Sequence, residues 1–161
     1  MAILKRLRTI LDQTNVPYEV CTHAQAFTAQ EIAARQHLSG NEMAKVVILN
    51  VDGSLAMAVI PGSRMISLSI ARASLGAKEL RLATEDEFTS RFPECEIGAM
   101  PPFGNLFDLP VYVDPTLEED EMIFFNAGNH LQTVRMRYRD FEGIVKPQVV
   151  RLVEERRKKA A

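Results

Sequence analysis

Apolar residues near the N-terminus recur at helical spacing. Ile3, Leu4, Leu7, Ile10 and Leu11 share one face, and Lys5, Arg6 and Arg8 fall off it. The pattern predicts an amphipathic opening helix whose basic side is solvated. A short strand over Tyr18–Cys21 follows Pro17. In TAQEIAARQH, Thr28 and Glu31 have the spacing of a capping box, so a second helix starts at Thr28 and stops at Ser39-Gly40. Phe27, just before that cap, is placed to act as a hydrophobic staple.

The periodicity then changes. In EMAKVVILNVDGSLAMAVIPG, residues 42–62, Asp52-Gly53 sits between two apolar runs, which is a hairpin signal. Two antiparallel strands are expected over about Lys45–Val51 and Ser54–Ile60. The run VVIL does not alternate, so both of its faces should be covered. Pro61-Gly62 stops the second strand, and residues 67–75 read as a helix that Gly76 ends. Leu80–Leu82 is a short strand, and Thr84 with Glu87 forms another capping box, opening a short helix closed by Pro93.

Residues 98–104, GAMPPFG, break every regular pattern, because prolines and glycines at this density exclude helix and strand interiors. Strands resume over Leu109–Asp114, then in EEDEMIFFNAG and NHLQTVRMRY, with a bend near Ala127-Gly128-Asn129. YRDFEGIV reads as a short helix, and a C-terminal helix is expected from Pro147 onward. Its basic end, within residues 154–161, should fray. Strands outnumber βαβ units, which implies a mixed α/β fold: a curved, mostly antiparallel sheet with helices around it.

Length and charge narrow the function. A chain of 161 residues fits one domain, 1–161, and a net charge of −2 argues against coating nucleic acid by bulk electrostatics. It leaves room for a local basic patch. Cys21 and Cys95 are far apart and lie in no CxxC or Cys/His spacing, so neither structural zinc nor a disulfide framework is expected. No apolar run has the length of a membrane span, and MAILKRLRTILDQ lacks the continuous apolar core of a secretory signal. A cytoplasmic protein without a cofactor is the expectation.

The usual catalytic signatures are missing. There is no GxSxG elbow, P-loop, GxGxxG or HExxH, and no histidine has metal-ligand spacing to another. Three features remain: Lys45 at the mouth of an apolar strand, the GAMPPFG loop, and the NAGNH bend at residues 126–130. Each has a plain structural reading. Lys45 can snorkel from a strand end, the loop can be a rigid turn, and His130 can be a hydrogen-bonded structural histidine. Each also has a chemical reading. Glycine lets a ligand approach the backbone, and proline holds carbonyls in fixed directions.

Taken together, FTAQEIA at 27–33, EMAKVVIL at 42–49, GAMPPFG at 98–104, VYVD at 111–114 and FNAG at 125–128 resemble the YbaK/EbsC family. This is the prolyl-tRNA synthetase-associated editing domain, and the resemblance runs from about Leu4 to Leu152. It implies a barrel-like version of the sheet and an enzyme that hydrolyses the ester between a wrong amino acid and its tRNA, often in trans to a synthetase. It also implies Lys45 as the catalytic residue, with Phe27, Thr28, Val46, Gly98, Met100, Pro101, Pro102, Gly104, Asn126, Gly128 and His130 around the substrate. The implied partners are the 3′ aminoacyl end of a mischarged tRNA, in the first place tRNA for proline with a small wrong amino acid, and a synthetase. No membrane, DNA, metal or cofactor is implied.

The chain also departs from the family pattern. Val46 stands where members that edit alanine or cysteine often carry a polar residue. Cysteine-editing members have Ser-Ala-Gly at the bend and an aspartate further along the strand; here the residues are Asn126-Ala127-Gly128 and, near the aspartate position, Thr133. A competing reading is a non-catalytic accessory protein that binds tRNA or a synthetase with the same pocket. A pocket plugged by Met57 or Met100 would favour it.

Overall fold

Asp52 and Gly53 both have positive φ, 50° and 88°, the backbone that a two-residue hairpin turn needs to match strand twist. The Asn50 Oδ1 accepts from the Gly53 amide at 2.9 Å. Asp52 holds the turn from outside, accepting from the amides of Lys78 (3.0 Å) and Glu79 (2.8 Å). The hairpin strands are β2, Ala44–Val51, and β3, Ser54–Pro61. The computed structural model describes residues 3–22 and 43–154. The helix expected at Thr28 and the basic C-terminal run lie outside the described residues.

The VVIL run is covered on both sides. Val46 and Ile48 face the main core with Met57 and Val59 of β3, while Val47 and Leu49 face a second cluster with Ala58, Ile60, Ala71, Leu152 and Val153. Helix α1, Lys5–Gln13, buries Leu7 and Leu11 in the main core. Helix α2, Leu68–Leu75, opens on Ser67, whose side chain accepts from the Ile70 amide, and closes on Gly76 in the left-handed region. The short helix α3, Glu85–Phe88, carries the expected capping box of Thr84 and Glu87. Helix α4, Tyr138–Val145, coincides with YRDFEGIV.

The remaining strands are β1, Tyr18–Thr22; β4, Leu80–Leu82; β5, Val111–Val113; β6, Met122–Asn126; β7, Gln132–Arg137; and β8, Gln148–Val149. They make two sheets, β1-β7-β6 and β4-β2-β3-β5-β8. Pairing is mostly antiparallel, with β3-β5 and β5-β8 parallel. The expected barrel does not close. The sheets meet only through an isolated parallel bridge, Met43 to Phe124, among the described residues, and a closed barrel needs a continuous ladder around it.

The C-terminal helix expected from Pro147 is also absent through Glu154. Lys146 ends α4 in the left-handed region at φ 52°, and the chain then adds to β5 as β8. The Val150 amide donates to the Val113 carbonyl at 2.9 Å. Buried Asp114 accepts from the amides of Leu152 (2.8 Å) and Val153 (3.0 Å). Donors that a helix would satisfy internally are thus taken by β5 and by the aspartate of VYVD.

Candidate active site

β6 is the support on which the site is assembled. Along it, Ile123, Phe125 and Ala127 point into the main core, so Met122, Phe124 and Asn126 point the other way. β2 runs beside it in the same direction at the Met43–Phe124 bridge. Two residues past the bridge stand Lys45 on β2 and Asn126 on β6. Lys45 has the parity of Met43 and lies opposite Ile60, so it belongs to the face away from the main core. Its side chain is exposed and forms no ion pair with any described carboxylate.

Beyond Asn126 the chain bends, and the loop containing Gly98 docks against that bend. The Gly128 amide donates to the Ala99 carbonyl at 2.9 Å, and the Glu96 amide donates to the Gly128 carbonyl at 2.8 Å. Gly128 has φ +100° and lies so close to α1 that a Cβ there would sit 3.0 Å from the Leu4 Cβ. The His130 Nε2 lies 2.8 Å from the Ile97 carbonyl oxygen. A carbonyl can only accept, so Nε2 carries the proton. The His130 amide donates to the Glu96 carboxylate at 3.3 Å, and that carboxylate is 4.0 Å from the ring. Gly98, at φ +84°, packs next to the same ring, where a Cβ would be 3.5 Å from Cε1.

The structure therefore brings Lys45 and Asn126 to one end of β6, and Gly98, Gly128 and His130 to the bend that continues it. Other expected residues are placed differently. Met100, Pro101, Pro102 and Gly104 are buried. Met100 is in the main core, as is Phe103, whose ring lies 5.5 Å from Phe125 and 5.6 Å from Phe141. Gly104 is a packing glycine: a Cβ there would collide with Val111 Cγ2 and come within 2.8 Å of the Leu109 carbonyl oxygen. Val46 packs against the main core, on the opposite face of β2 from Lys45. Phe27 and Thr28 lie outside the described residues.

Two buried polar residues complete the bend and its strand. Asn129 accepts from the amides of Leu131 (2.8 Å) and Gln132 (2.9 Å), which shapes the turn into β7. Thr133 stands across from Asn126 and is 1 % exposed. Arg135 follows on the same face, with Val134 and Met136 fully buried on the other. It does not stand out in the sequence; the signal is the alternation in TVRMR, which sets three polar residues on the side of Lys45.

Cys95 precedes Glu96, and burial pushes its thiol up to about 11, so it is not a reactive thiolate at neutral pH. Both cysteines are free thiols. Among the described residues no three His, Cys, Asp or Glu side chains converge as metal ligands, and no helix is long and apolar enough to cross a membrane. A cavity of about 450 Å³ opens between Pro61, Arg64, Asp114, Thr116 and Arg151, but Lys45 does not line it, and its Asp114 is occupied by backbone amides.

Comparison with known proteins decides the family. The sequence profile of the aminoacyl-tRNA editing domain matches residues 23–144. The chain belongs to that family. This editing domain is 26% identical over 151 residues to the Multifunctional Ser/Thr-tRNA deacylase ProXp-y of Escherichia coli K12, covering 91% of this chain and 90% of the relative. It is 30% identical over 121 residues to a proline–tRNA ligase of Staphylococcus saprophyticus, where the match covers 71% of this chain and 20% of the ligase. A solved structure of a protein proposed as a trans-editing enzyme for prolyl tRNA synthetase superimposes on the editing domain with a TM-score of 0.81. The identity is 22%, over 94% of this chain and 96% of that one. Hypothetical protein APE2540 superimposes equally well, at TM-score 0.81 and 18% identity, covering 93% of this chain and all of its own.

Proposed function

We propose that this editing domain is an aminoacyl-tRNA deacylase that hydrolyses, in trans, the ester between a wrong amino acid and its tRNA. The observation that carries the reading is Lys45. It is an ammonium group without a protein partner among the described residues, two residues past the bridge to β6, the strand that leads into the bend where Gly98, Gly128 and His130 meet. In hydrolysis the ester carbonyl oxygen gains negative charge as the nucleophile adds. A cation already in place stabilises that charge without reorganising.

No strong nucleophile has to be made, because an aminoacyl ester is already activated. Positioning a water against the carbonyl, with the neighbouring ribose hydroxyl hydrogen-bonded to it, supplies much of the rate; as the water adds, the ester C–O bond breaks and the leaving ribose oxygen takes the proton that the water gives up. Gly98, Asn126, Gly128 and His130 surround the aminoacyl group in this reading, with Phe27 and Thr28 contributing from the preceding segment. The substrate we favour is tRNA for proline carrying a small wrong amino acid. Serine and threonine come first, because the E. coli relative is a Ser/Thr-tRNA deacylase. Related stretches inside proline–tRNA ligases support a synthetase as a working partner and the cytoplasm as the place of action.

A binding-only accessory role is less well supported. Met57 and Met100 are buried, but in the main core, across β2 from Lys45, so neither plugs the face that carries the lysine. The deciding experiment is deacylation of alanyl-, cysteinyl-, seryl-, threonyl- and prolyl-tRNA by the wild type and Lys45→Ala. Clearance of one or two esters by the wild type alone supports the reading. Folded wild-type protein that clears none at above the spontaneous rate overturns it.

A further inference from the structure

Arg135 stands on β7 directly across from Phe124 of β6 and Glu19 of β1. Val134 and Met136 on either side of it are fully buried in the main core, so Arg135 points to the face that carries Lys45, Asn126 and Thr133. The side chain is half-buried, and its Nε is shielded from solvent with no hydrogen-bond partner. No ion pair joins it to Glu19 or to any other described carboxylate. Leaving a buried donor of a charged group unpaired is costly, and natural structures rarely do so without a reason. Among the described residues this guanidinium has no carboxylate partner and its Nε no acceptor, which suits it to an oxygen ligand that comes from outside.

The identity of that ligand follows from the substrate's chemistry. An aminoacyl ester carries an ammonium group and a neutral carbonyl, and the side chains of serine and threonine are neutral. The anions at the 3′ end of a tRNA are its phosphodiesters, which a planar guanidinium can grip with two parallel hydrogen bonds. The lateral row Met43–Phe124–Arg135 places Arg135 two strands from β2, about 10 Å across, with Lys45 one row further along.

We propose that Arg135 is a substrate-binding residue that holds a phosphate of the tRNA 3′ end while Lys45 acts on the ester. The proposal rests on the deacylase reading and goes beyond it by assigning the anchor of the terminal nucleotides. Lys45 and Arg135 then divide the work: one meets charge that develops in the reaction, the other meets charge present throughout. A contact of the second kind lowers KM and leaves kcat alone.

The test uses the full chain as wild type, Arg135→Gln and Arg135→Lys. Binding of an uncharged acceptor-stem minihelix ending in CCA is followed by fluorescence anisotropy across a salt series. Deacylation is followed on mischarged tRNA and on 3′-aminoacyl-adenosine, which has no phosphate. Arg135→Gln is expected to weaken minihelix binding about tenfold, the scale of one charge-assisted hydrogen-bonded contact. The slope of log affinity against log salt should shrink by about 0.7. KM on tRNA should rise with kcat unchanged, and turnover of aminoacyl-adenosine should not change. Arg135→Lys should keep the salt slope and bind with intermediate affinity.

Wild-type affinity and salt slope in Arg135→Gln overturn the proposal, as does an equal loss on aminoacyl-adenosine. If Arg135→Gln does not fold, wild-type affinity in Arg135→Lys counts against the bidentate contact. A wild type that cleaves no ester while Arg135→Gln still weakens minihelix binding sinks the deacylase reading and supports the phosphate contact. Normal deacylation with unaltered KM in Arg135→Gln sinks the contact and spares that reading.

Discussion

The His130 Nε2 donates to the Ile97 carbonyl oxygen at 2.8 Å, joining the bend after β6 to the loop that precedes Ala99. Two backbone hydrogen bonds, Gly128 to Ala99 and Glu96 to Gly128, make the same connection. His130 is thus one tie of several. His130→Ala should cost about 1 kcal/mol of stability, the net worth of one such hydrogen bond. It should raise KM by loosening the position of Gly98. His130→Gln, whose amide can donate to the same carbonyl, should restore KM. A general acid or base at this position would not be rescued by glutamine, so kcat and KM for both variants separate the roles.

Lys45 is exposed and forms no ion pair among the described residues, so its removal should leave the thermal midpoint unchanged. Deacylation by Lys45→Ala should fall ~10²–10³-fold, the scale for one well-placed electrostatic group. Lys45→Arg should also lose activity, because a planar fork does not put its charge where a compact ammonium does. Single-turnover deacylation and a melting curve on the same preparations check both statements.

Val46 follows Lys45 in sequence but faces the main core. Val46 is half-buried, so Val46→Thr should cost about 1 kcal/mol by placing a hydroxyl against that core. The ranking of esters cleared should stay as in the wild type. Urea unfolding and the five-ester panel decide this, and a changed ranking would put the Val46 side chain in contact with substrate.

Glu87 reports on the hairpin side of the fold. Its carboxylate accepts from Arg81 (2.6 and 3.0 Å), from the Thr84 amide (2.9 Å) and from the Asn50 side chain (2.9 Å). Arg81 first, then Thr84 and Asn50, hold the carboxyl well below the usual carboxylate range. A depressed folded-state pKa contributes stability above the unfolded value, about 4.3, and loses it as pH falls through the folded value. The melting difference between wild type and Glu87→Gln should be constant from neutral pH down to about 5 and then shrink in acid. Added salt should reduce it where the carboxylate is ionised, because the pair with Arg81 is partly open to solvent.

Local chemistry was legible wherever a short stretch settles its own backbone. The Asp52-Gly53 turn, the Thr84–Glu87 capping box and the YRDFEGIV helix required only their own residues. The non-alternating VVIL run announced two covered faces, and it has them. The segment after Pro147 departs from the expected helix because its partners, Val113 and Asp114, are remote in sequence. Nothing within the segment shows that its amides are already claimed.

The site divides in the same way. From the sequence alone came the family resemblance, the lysine at the strand mouth and the glycine–proline loop beside a small-residue bend. These are properties of residue type and spacing. The tertiary structure decided which of those residues share a surface. Strand alternation turns Val46 toward the main core while Lys45 faces away, and close packing turns Pro101, Pro102 and Gly104 inward. Only the pairing of β6 with β7, and of β2 with β6 at a single bridge, sets Arg135 on the face of Lys45. A side chain's face follows from its own strand, but its neighbours on that face follow from register between strands distant in the chain, which no local pattern encodes.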